Sequence, residues 1–219
     1  MKKLFFSLSL LTCMSAVKAQ TLTFDVAAKY AYSATAMFNK NISDLGVTQD
    51  YDVAFSSNYG LAGTLNIGKI GVGVEYLFGN FKAGYQGELP LVGSYTSEVN
   101  LTTVQIPVYL RLGGSKGSFG ELGVVMNNVK SATYSFSNNS TNDVSNQYQN
   151  FMGYMIGVGG RFGILDLPVL VSVSARFMYS TADAKGVDAL GLDLDLYNST
   201  YKTNAASVGL HAGVVYSID

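Results

Sequence analysis

The chain has 219 residues, of which only 13% are charged, with 14 basic against 15 acidic side chains. A single cysteine, Cys13, excludes a disulfide framework and any metal site built from several cysteines. The chain has no excess of the basic residues that bind the phosphate backbone of nucleic acid, so we expect no nucleic-acid partner.

The first 19 residues have the pattern of a secretory signal peptide. Two lysines precede the apolar run Leu4–Leu11, and residues 17–19 offer a small-residue cleavage site before Gln20. Lipoprotein processing at Cys13 is the alternative, but the preceding threonine is a poor neighbour for that cleavage. Cleavage after residue 19 would leave one domain, 20–219. Because it removes three lysines and no acid, acidic residues would then outnumber basic ones by four.

Eight later segments alternate apolar and polar residues with the period of a β-strand. The clearest is Val169–Ser180, in which one face is wholly apolar and the other carries Arg176. After the signal there is no apolar run of the ~18 residues that a transmembrane helix needs. We predict strands at Leu22–Phe38, Tyr59–Ile67, Ile70–Phe78, Thr103–Leu112, Gly120–Asn127, Met152–Phe162, Val169–Ser180 and Ala206–Ile218.

Every charged residue in these segments lies on the less apolar face. A membrane barrel enforces this segregation, because an Arg or Lys facing lipid at the midplane costs ~2–4 kcal/mol. A water-soluble barrel would invert the pattern, but the polar faces here are rich in small residues, as a narrow lumen requires. The pattern predicts a polar network in the lumen, formed by Asp25, Lys29, Glu75, Tyr109, Arg111, Glu121, Arg161 and Arg176.

The connections alternate between short and long. Short links at 68–69, 113–118 and 163–168 alternate with long polar links at 39–57, 79–102, 130–149 and 181–203. This predicts an all-β fold, an eight-stranded antiparallel up-and-down transmembrane β-barrel with both termini on the short-turn side. Ten strands are the alternative if a long link contains a hairpin. Pro107 predicts a bulge or local irregularity, because proline cannot donate a ladder hydrogen bond.

Three stretches, VQIPVYLRLGG (104–114), FGELGVVMN (119–127) and YMIGVGGRFG (154–163), resemble the outer-membrane β-barrel family of Bacteroidetes described as porin-like or PorT-like. The resemblance covers essentially the whole chain after the signal. It implies a Gram-negative outer membrane as the location, reached through the periplasm. It implies no catalytic motif and no cofactor, because the family is defined by its barrel.

The C-terminus resembles the assembly signal of outer-membrane barrels, carried here by His211, Gly213, Tyr216 and Ile218. Asp219 departs from the usual aromatic last residue. The implied partners are the barrel-assembly machinery during biogenesis, and outer-membrane lipid and lipopolysaccharide afterwards. We expect a monomer.

Two enzymatic interpretations and one metal site have weak support. His211 is the sole histidine, and outer-membrane deacylases resemble barrels with a Ser two residues after a His, where this chain has Gly213. A structural role for His211, near the periplasmic end, is favoured. Asp193 and Asp195 lack the second histidine of an acidic protease pair, and with Asp188 they match no calcium loop. Solvated charge is the interpretation that we favour for all three, and we predict no metal site.

The last long link, 181–203, continues the strand period beyond the predicted wall. Leu190, Leu192, Leu194 and Leu196 alternate with Gly191, Asp193 and Asp195. We predict a β-hairpin extension or an ordered flap, presenting an apolar stripe that either meets a surface ligand or caps the lumen.

The expected function is that of a non-enzymatic outer-membrane barrel with a structural or surface-interaction role. Eight strands leave a lumen that side chains roughly fill, which argues against a general diffusion pore. A small-solute channel and, less favoured, a lipid-modifying enzyme are the alternatives.

Overall fold

The computed structural model describes residues 22–90, 93–113, 116–137, 140–164 and 168–218, so the predicted signal peptide and Asp219 lie outside the described residues. The ten strands of this part are β1 (Leu22–Phe38), β2 (Asp50–Asp52), β3 (Ala54–Ile67), β4 (Ile70–Leu89), β5 (Gly93–Gly113), β6 (Gly117–Phe136), β7 (Ser140–Asp143), β8 (Phe151–Gly163), β9 (Val169–Ser180) and β10 (Asn204–Ile218). Single helical turns lie at Lys40–Ser43, Gly46–Thr48, Ser145–Gln147 and Leu194–Leu196. None of the described helices is long and apolar enough to cross a membrane.

Eight strands close into a barrel, as the sequence predicted. Antiparallel pairing runs β1–β3–β4–β5–β6–β8–β9–β10, and β10 returns to β1 with Phe24 opposite Ile218 and Phe38 opposite Asn204. β1 begins and β10 ends at the end of the barrel where the links are short. We call this the short-turn end and the opposite one the long-loop end.

Strands β1 and β9 have the predicted boundaries, whereas the middle strands are longer. The prediction of a long loop at 79–102 was wrong, because β4 and β5 continue as a paired hairpin to Leu89 opposite Gly93. β6 likewise continues to Phe136 inside the predicted loop 130–149. Two short strands flank these extensions, β2 on β4 and β7 on β6. The resulting order β2–β4–β5–β6–β7 forms a sheet above the barrel rim, here called the extension sheet.

The two faces of the barrel wall are chemically distinct. Outward apolar side chains stay exposed, with Leu61 at 63% and Leu210 at 65%, while inward Asp25 and Arg111 are buried. A wall that exposes its apolar face and buries its charges cannot be stable in water and matches a hydrocarbon solvent. Aromatic residues mark both margins of this apolar belt: Tyr30, Tyr59, Phe78, Tyr154 and Tyr179 towards the long-loop end, and Phe24, Phe162 and Tyr216 towards the short-turn end.

The sidedness reverses in the extension sheet. On β4 the outward residues change from Phe78 to Lys82 and Gln86, while Phe81 and Tyr85 point inward and are buried. Polar residues outside and apolar residues inside are the pattern of a sheet in water. An apolar outer face therefore identifies the strands only as far as the long-loop margin of the belt.

Two irregularities accompany this change. The β5–β6 register shifts between Thr102 and Thr103, which leaves Lys130 as the extra residue of a β-bulge on β6. On the other side of β5, pairing with β4 passes from Val74 opposite Val108 directly to Leu77 opposite Gln105. The ladder is thus interrupted across Pro107, which confirms the predicted irregularity.

Candidate functional site

A layer of buried ion pairs crosses the middle of the lumen. Arg176 on β9 donates two hydrogen bonds to Glu75 on β4, each 2.7 Å long, and a third from Nε to Glu121 on β6 at 2.8 Å. Arg111 on β5 donates to the other oxygen of Glu121 at 2.7 Å and 3.1 Å. Four strands are joined through two carboxylates, an arrangement we call the ion layer.

The ion layer continues towards β1 and the short-turn end. Lys29 lies 3.6 Å from Glu75 as an ion pair. Asp25 accepts a hydrogen bond from Arg161 of β8, and others from Asn66 and Ser217, both at 2.6 Å. The wall is thereby tied across the lumen as well as along its ladders.

Tyr109 fills the space beside the two central arginines. Its ring centroid lies 5.4 Å from the guanidinium carbon of Arg111 and 5.1 Å from that of Arg176, within the range of cation–π contact. Gly73 lies opposite Tyr109 on β4, and a Cβ at that glycine would overlap the tyrosine ring. The structure therefore brings together all eight side chains of the predicted lumen network.

His211 lies in the middle of the barrel, and the expectation that it sits near the short-turn end was wrong. It is opposite Ala31 of β1 and Ser174 of β9, and in the described part of the chain its Nδ1 makes no hydrogen bond. It borders a cavity of about 30 Å³, beside Asn58 and Arg176. That volume holds about two water molecules. The cavity is too small for a lipid or peptide substrate, which favours the structural interpretation of His211.

An apolar plug fills the lumen between the ion layer and the long-loop end. The walls contribute inward side chains that are almost fully buried, among them Phe81, Tyr85, Val99 and Leu101. The link 181–203, here called the roof loop, adds Ala184, Val187, Ala189 and Leu194 to the same cluster. The lumen is thus closed by two successive layers, one ionic and one apolar.

The roof loop does not form the predicted hairpin. It contains the single turn Leu194–Leu196 and only isolated bridges, Val187 with Asp193 and Lys185 with Tyr148. The predicted apolar stripe is wrong for the same reason, because Leu194 is buried, Leu190 is half-buried, and Leu192 and Leu196 are exposed. The loop turns inward and caps the lumen, which is the alternative predicted beside a surface ligand.

Asp188 anchors the roof loop. The prediction of a solvated side chain was wrong for it, since it is fully buried and accepts hydrogen bonds from Gln49 Nε2 at 2.9 Å and the Tyr197 hydroxyl at 2.7 Å. The backbone N–H groups of Leu190 and Leu192 donate to its other oxygen at 2.9 Å. Burial and the hydrogen bond to Asp188 raise the pKa of Tyr197 to about 12.

The walls hold the roof loop at a second point. Tyr134 of β6 and Ser97 of β5 both donate to the backbone oxygen of Ala189, at 3.0 Å and 2.7 Å. Gln49 and Asp188 are 139 residues apart in the chain. Neither residue has a motif around it, so no sequence signal could have paired them.

The other two aspartates considered as calcium ligands, Asp193 and Asp195, make their contacts within the roof loop. Asp195 pairs with Lys185 at 2.8 Å, which raises the pKa of that lysine, and Asp193 accepts a hydrogen bond from the backbone N–H of Asp195. Within the described ranges, no group of three or more His, Cys, Asp or Glu side chains could hold a metal ion.

No protein-family model matches the sequence, and no curated protein matches it either. Solved structures do match. The outer membrane protein OprG from Pseudomonas aeruginosa aligns with a TM-score of 0.52 at 16% identity, over 91% of this chain and 97% of that one. The chain therefore has the fold of an eight-stranded outer-membrane β-barrel.

Two further structures align less closely. Neisserial surface protein A has a TM-score of 0.41 at 14% identity over 88% of this chain and 96% of that one. Ail, the attachment invasion locus protein of Yersinia pestis, was solved with the heparin analogue sucrose octasulfate. It has a TM-score of 0.41 at 12% identity, over 89% of this chain and 99% of that one. The resemblance to the Bacteroidetes family stays a prediction, as does the assembly signal His211, Gly213, Tyr216 and Ile218, which lies along β10.

Proposed function

We propose that this chain is a non-enzymatic integral outer-membrane barrel that presents a fixed surface at its long-loop end and does not conduct solutes. The observation that carries the proposal is the double closure of the lumen by the ion layer and the apolar plug. A pore needs a continuous polar path, and here the path meets first paired charges and then close-packed aromatic and aliphatic side chains.

Conductance in planar bilayers tests the closed lumen directly. We expect no stable single-channel steps from the wild-type barrel. We also expect none after the roof loop is shortened by residues 186–196, because the ion layer and the wall side chains of the plug remain. Stable conductance of porin size from the wild type would overturn the proposal in favour of the solute channel. Lipid A profiles of cells with and without the protein should match, and a changed profile would favour the lipid-modifying enzyme.

The surface role is supported by apolar side chains that remain exposed on the closed roof. Val47 is 81% exposed and Leu196 is 77% exposed. Asp50 lines the same surface depression as Val47, and Asp195 precedes Leu196 in the chain. Exposed apolar residues within an acidic surface fit a partner that is itself apolar and basic, so the proposed ligand is a cationic protein surface.

A binding screen on intact cells tests this surface. Host and envelope components of graded charge would be presented to cells carrying the wild type or the double variant Val47→Ser/Leu196→Ser. We expect basic components to bind and the double variant to lose that binding. The control Thr102→Ala changes an outward residue of the extension sheet. Equal binding by both variants, or preferential binding of acidic components, would contradict the proposal.

A further inference from the structure

A pocket lies where β1 and β10 end at the barrel rim. Its volume is about 370 Å³, and Phe38, Lys40, Ser43, Thr200 and Lys202 line it. Neither lysine forms an ion pair with any carboxylate that the structure describes, in contrast to Lys82 with Glu98. Two ammonium groups that no described carboxylate pairs with are donors that suit a phosphate group.

The position of Lys40 is fixed by an aromatic neighbour. Its Nζ lies 4.7 Å from the ring centroid of Tyr201. The pKa of Lys40 is raised, first by its hydrogen bond and electrostatic interaction with Tyr201 and then by the nearby carboxylate of Asp44. The lysine therefore remains a cation at every physiological pH, although Asp44 offsets part of its charge.

The height of the pocket corresponds to the head groups of the surrounding membrane. Phe38 is the last outward residue of β1 and is 40% exposed, opposite Asn204 at the start of β10. On β1 the apolar outer face continues beyond Tyr30 to Phe38, and Lys40 and Lys202 lie just beyond this end of β1 and β10. Lysines at this level reach the head-group phosphates of neighbouring lipids.

The wall beneath the pocket contains a shallow channel. Small outward residues form its floor, with Ala36 opposite Ala206 on the β1–β10 seam and Ala34 one outward pair below. Val208, which lies opposite Ala34, is larger and 57% exposed, so the floor of small residues ends there. Larger aromatic residues stand on both sides, Phe55 opposite Ala34 on β3 and Tyr179 opposite Ala206 on β9. β3 and β9 are three strand spacings, about 14 Å, apart, and acyl chains fit within that width.

We propose that the pocket and this channel together bind one outer-leaflet lipid, with its head-group phosphate between Lys40 and Lys202 and its acyl chains over Ala34, Ala36 and Ala206. The proposal rests on the membrane location proposed above. Elsewhere the long-loop end is predominantly acidic and repels anionic head groups, so this seam is the place where a phosphorylated lipid is held.

Native mass spectrometry of the protein purified from outer membranes in mild detergent tests the proposal. The probes are lipid A, phosphatidylglycerol, phosphatidylcholine and inorganic phosphate. We expect lipid A and phosphatidylglycerol to bind, with affinity reduced about tenfold or more in Lys40→Ala/Lys202→Ala. The matched control Lys130→Ala/Lys185→Ala removes two lysines from the same end and should bind as the wild type does. Asp44→Asn should bind more tightly.

The channel has its own test. Ala36→Phe should weaken lipid binding without changing the two lysines. Equal binding by both double-lysine variants would overturn the proposal, as would equal affinity for phosphatidylcholine. Inorganic phosphate that competes at the same concentration as lipid A would show a free-phosphate site and no lipid site. Heat-modifiable gel mobility reports whether the barrel is folded, and conductance reports whether its lumen is closed. A folded, closed barrel that does not bind lipid would refute this inference and leave the proposed function standing.

Discussion

Arg176 holds Glu75 by two parallel hydrogen bonds across the lumen while its third nitrogen binds Glu121. Replacing Arg176 with Met leaves two buried carboxylates without this partner, which should destabilise the barrel by about 3–5 kcal/mol. Urea unfolding in detergent, followed by heat-modifiable gel mobility, measures the change.

The control for that variant is Lys82→Met. It breaks an ion pair with Glu98 of the same 2.7 Å length, but at a partly exposed site. We expect a loss of at most about 1 kcal/mol. Equal losses from the two variants would show that the ion layer contributes no more than a surface pair.

Gly73 makes room for Tyr109. Gly73→Ala should cost about 1–3 kcal/mol, because the new methyl group overlaps the tyrosine ring and displaces it from Arg111 and Arg176. The matched variant Gly63→Ala faces lipid, where its methyl would lie 3.6 Å from the Phe24 ring in ordinary contact. Thermal unfolding of both variants in the same detergent tests the difference, and a neutral Gly73→Ala would contradict the packing described here.

Asp188 should control whether the roof stays closed. Asp188→Asn exchanges one acceptor oxygen for an amide that faces the donors of Gln49 and Tyr197, and we expect a local loss of about 1–3 kcal/mol. Protease cleavage within 181–203 of the folded barrel should become faster. Asp195→Asn, which removes only an exposed pair with Lys185, should leave cleavage unchanged. Unchanged cleavage in both variants would mean that Asp188 does not hold the roof.

The roof should also open at high pH. Tyr197 has a pKa of about 12 in the folded protein against 10.0 normally, so the folded state favours its neutral form. Its contribution is fully present below pH 10 and is lost as the pH rises towards 12, where the tyrosinate would repel Asp188. Protease sensitivity of the roof loop should rise in that window in the wild type. Tyr197→Phe should be more sensitive at neutral pH and change less between pH 10 and 12.

The β-bulge allows an unusual prediction about deletions. Removing Lys130 leaves Val129 opposite Thr103 and Ser131 opposite Thr102, so a regular ladder results and both halves of β6 keep their register. We expect this variant to fold with normal gel mobility. Deleting Val125, within the regular ladder, moves neighbouring side chains to the wrong face and should abolish folding. Loss of folding in the first variant would show that the bulge itself is needed.

The barrel wall was predictable because each of its strands alternates between lipid and lumen. β1 and β9 were correct at both ends, and the charged residues of the ion layer were all assigned to the inner face. The extension sheet was missed because its strands reverse that pattern. Thr96, Glu98 and Asn100 on the outside of β5 are typical of a loop, although the alternating residues Val99 and Leu101 are buried.

The closure of the roof could not be read from the sequence for a different reason. Asp188 is held by Gln49 from the first long link and Tyr197 from its own, and such contacts depend on where the loops return in space. The alternation of leucines in 190–196 resembles a strand, but the buried Leu194 owes its position to the plug below it. The local alternation of apolar and polar residues does not predict the structure of a segment that packs against other loops.

The margin at which β4 changes sidedness also sets the thickness of membrane that the β4 side of the barrel matches. From Ile70 to Phe78 the outward face spans about 26 Å along the strand, and about 20 Å along the membrane normal at a tilt of ~40°. The bulge on β6 lies at a similar level, since Phe78 is opposite Val104 and Val104 is opposite Asn128. In a thicker bilayer the polar extension sheet would be drawn towards hydrocarbon. Hydrophobic mismatch on the β4 side should therefore disfavour thick membranes and make the protein fold fastest into short-chain lipids.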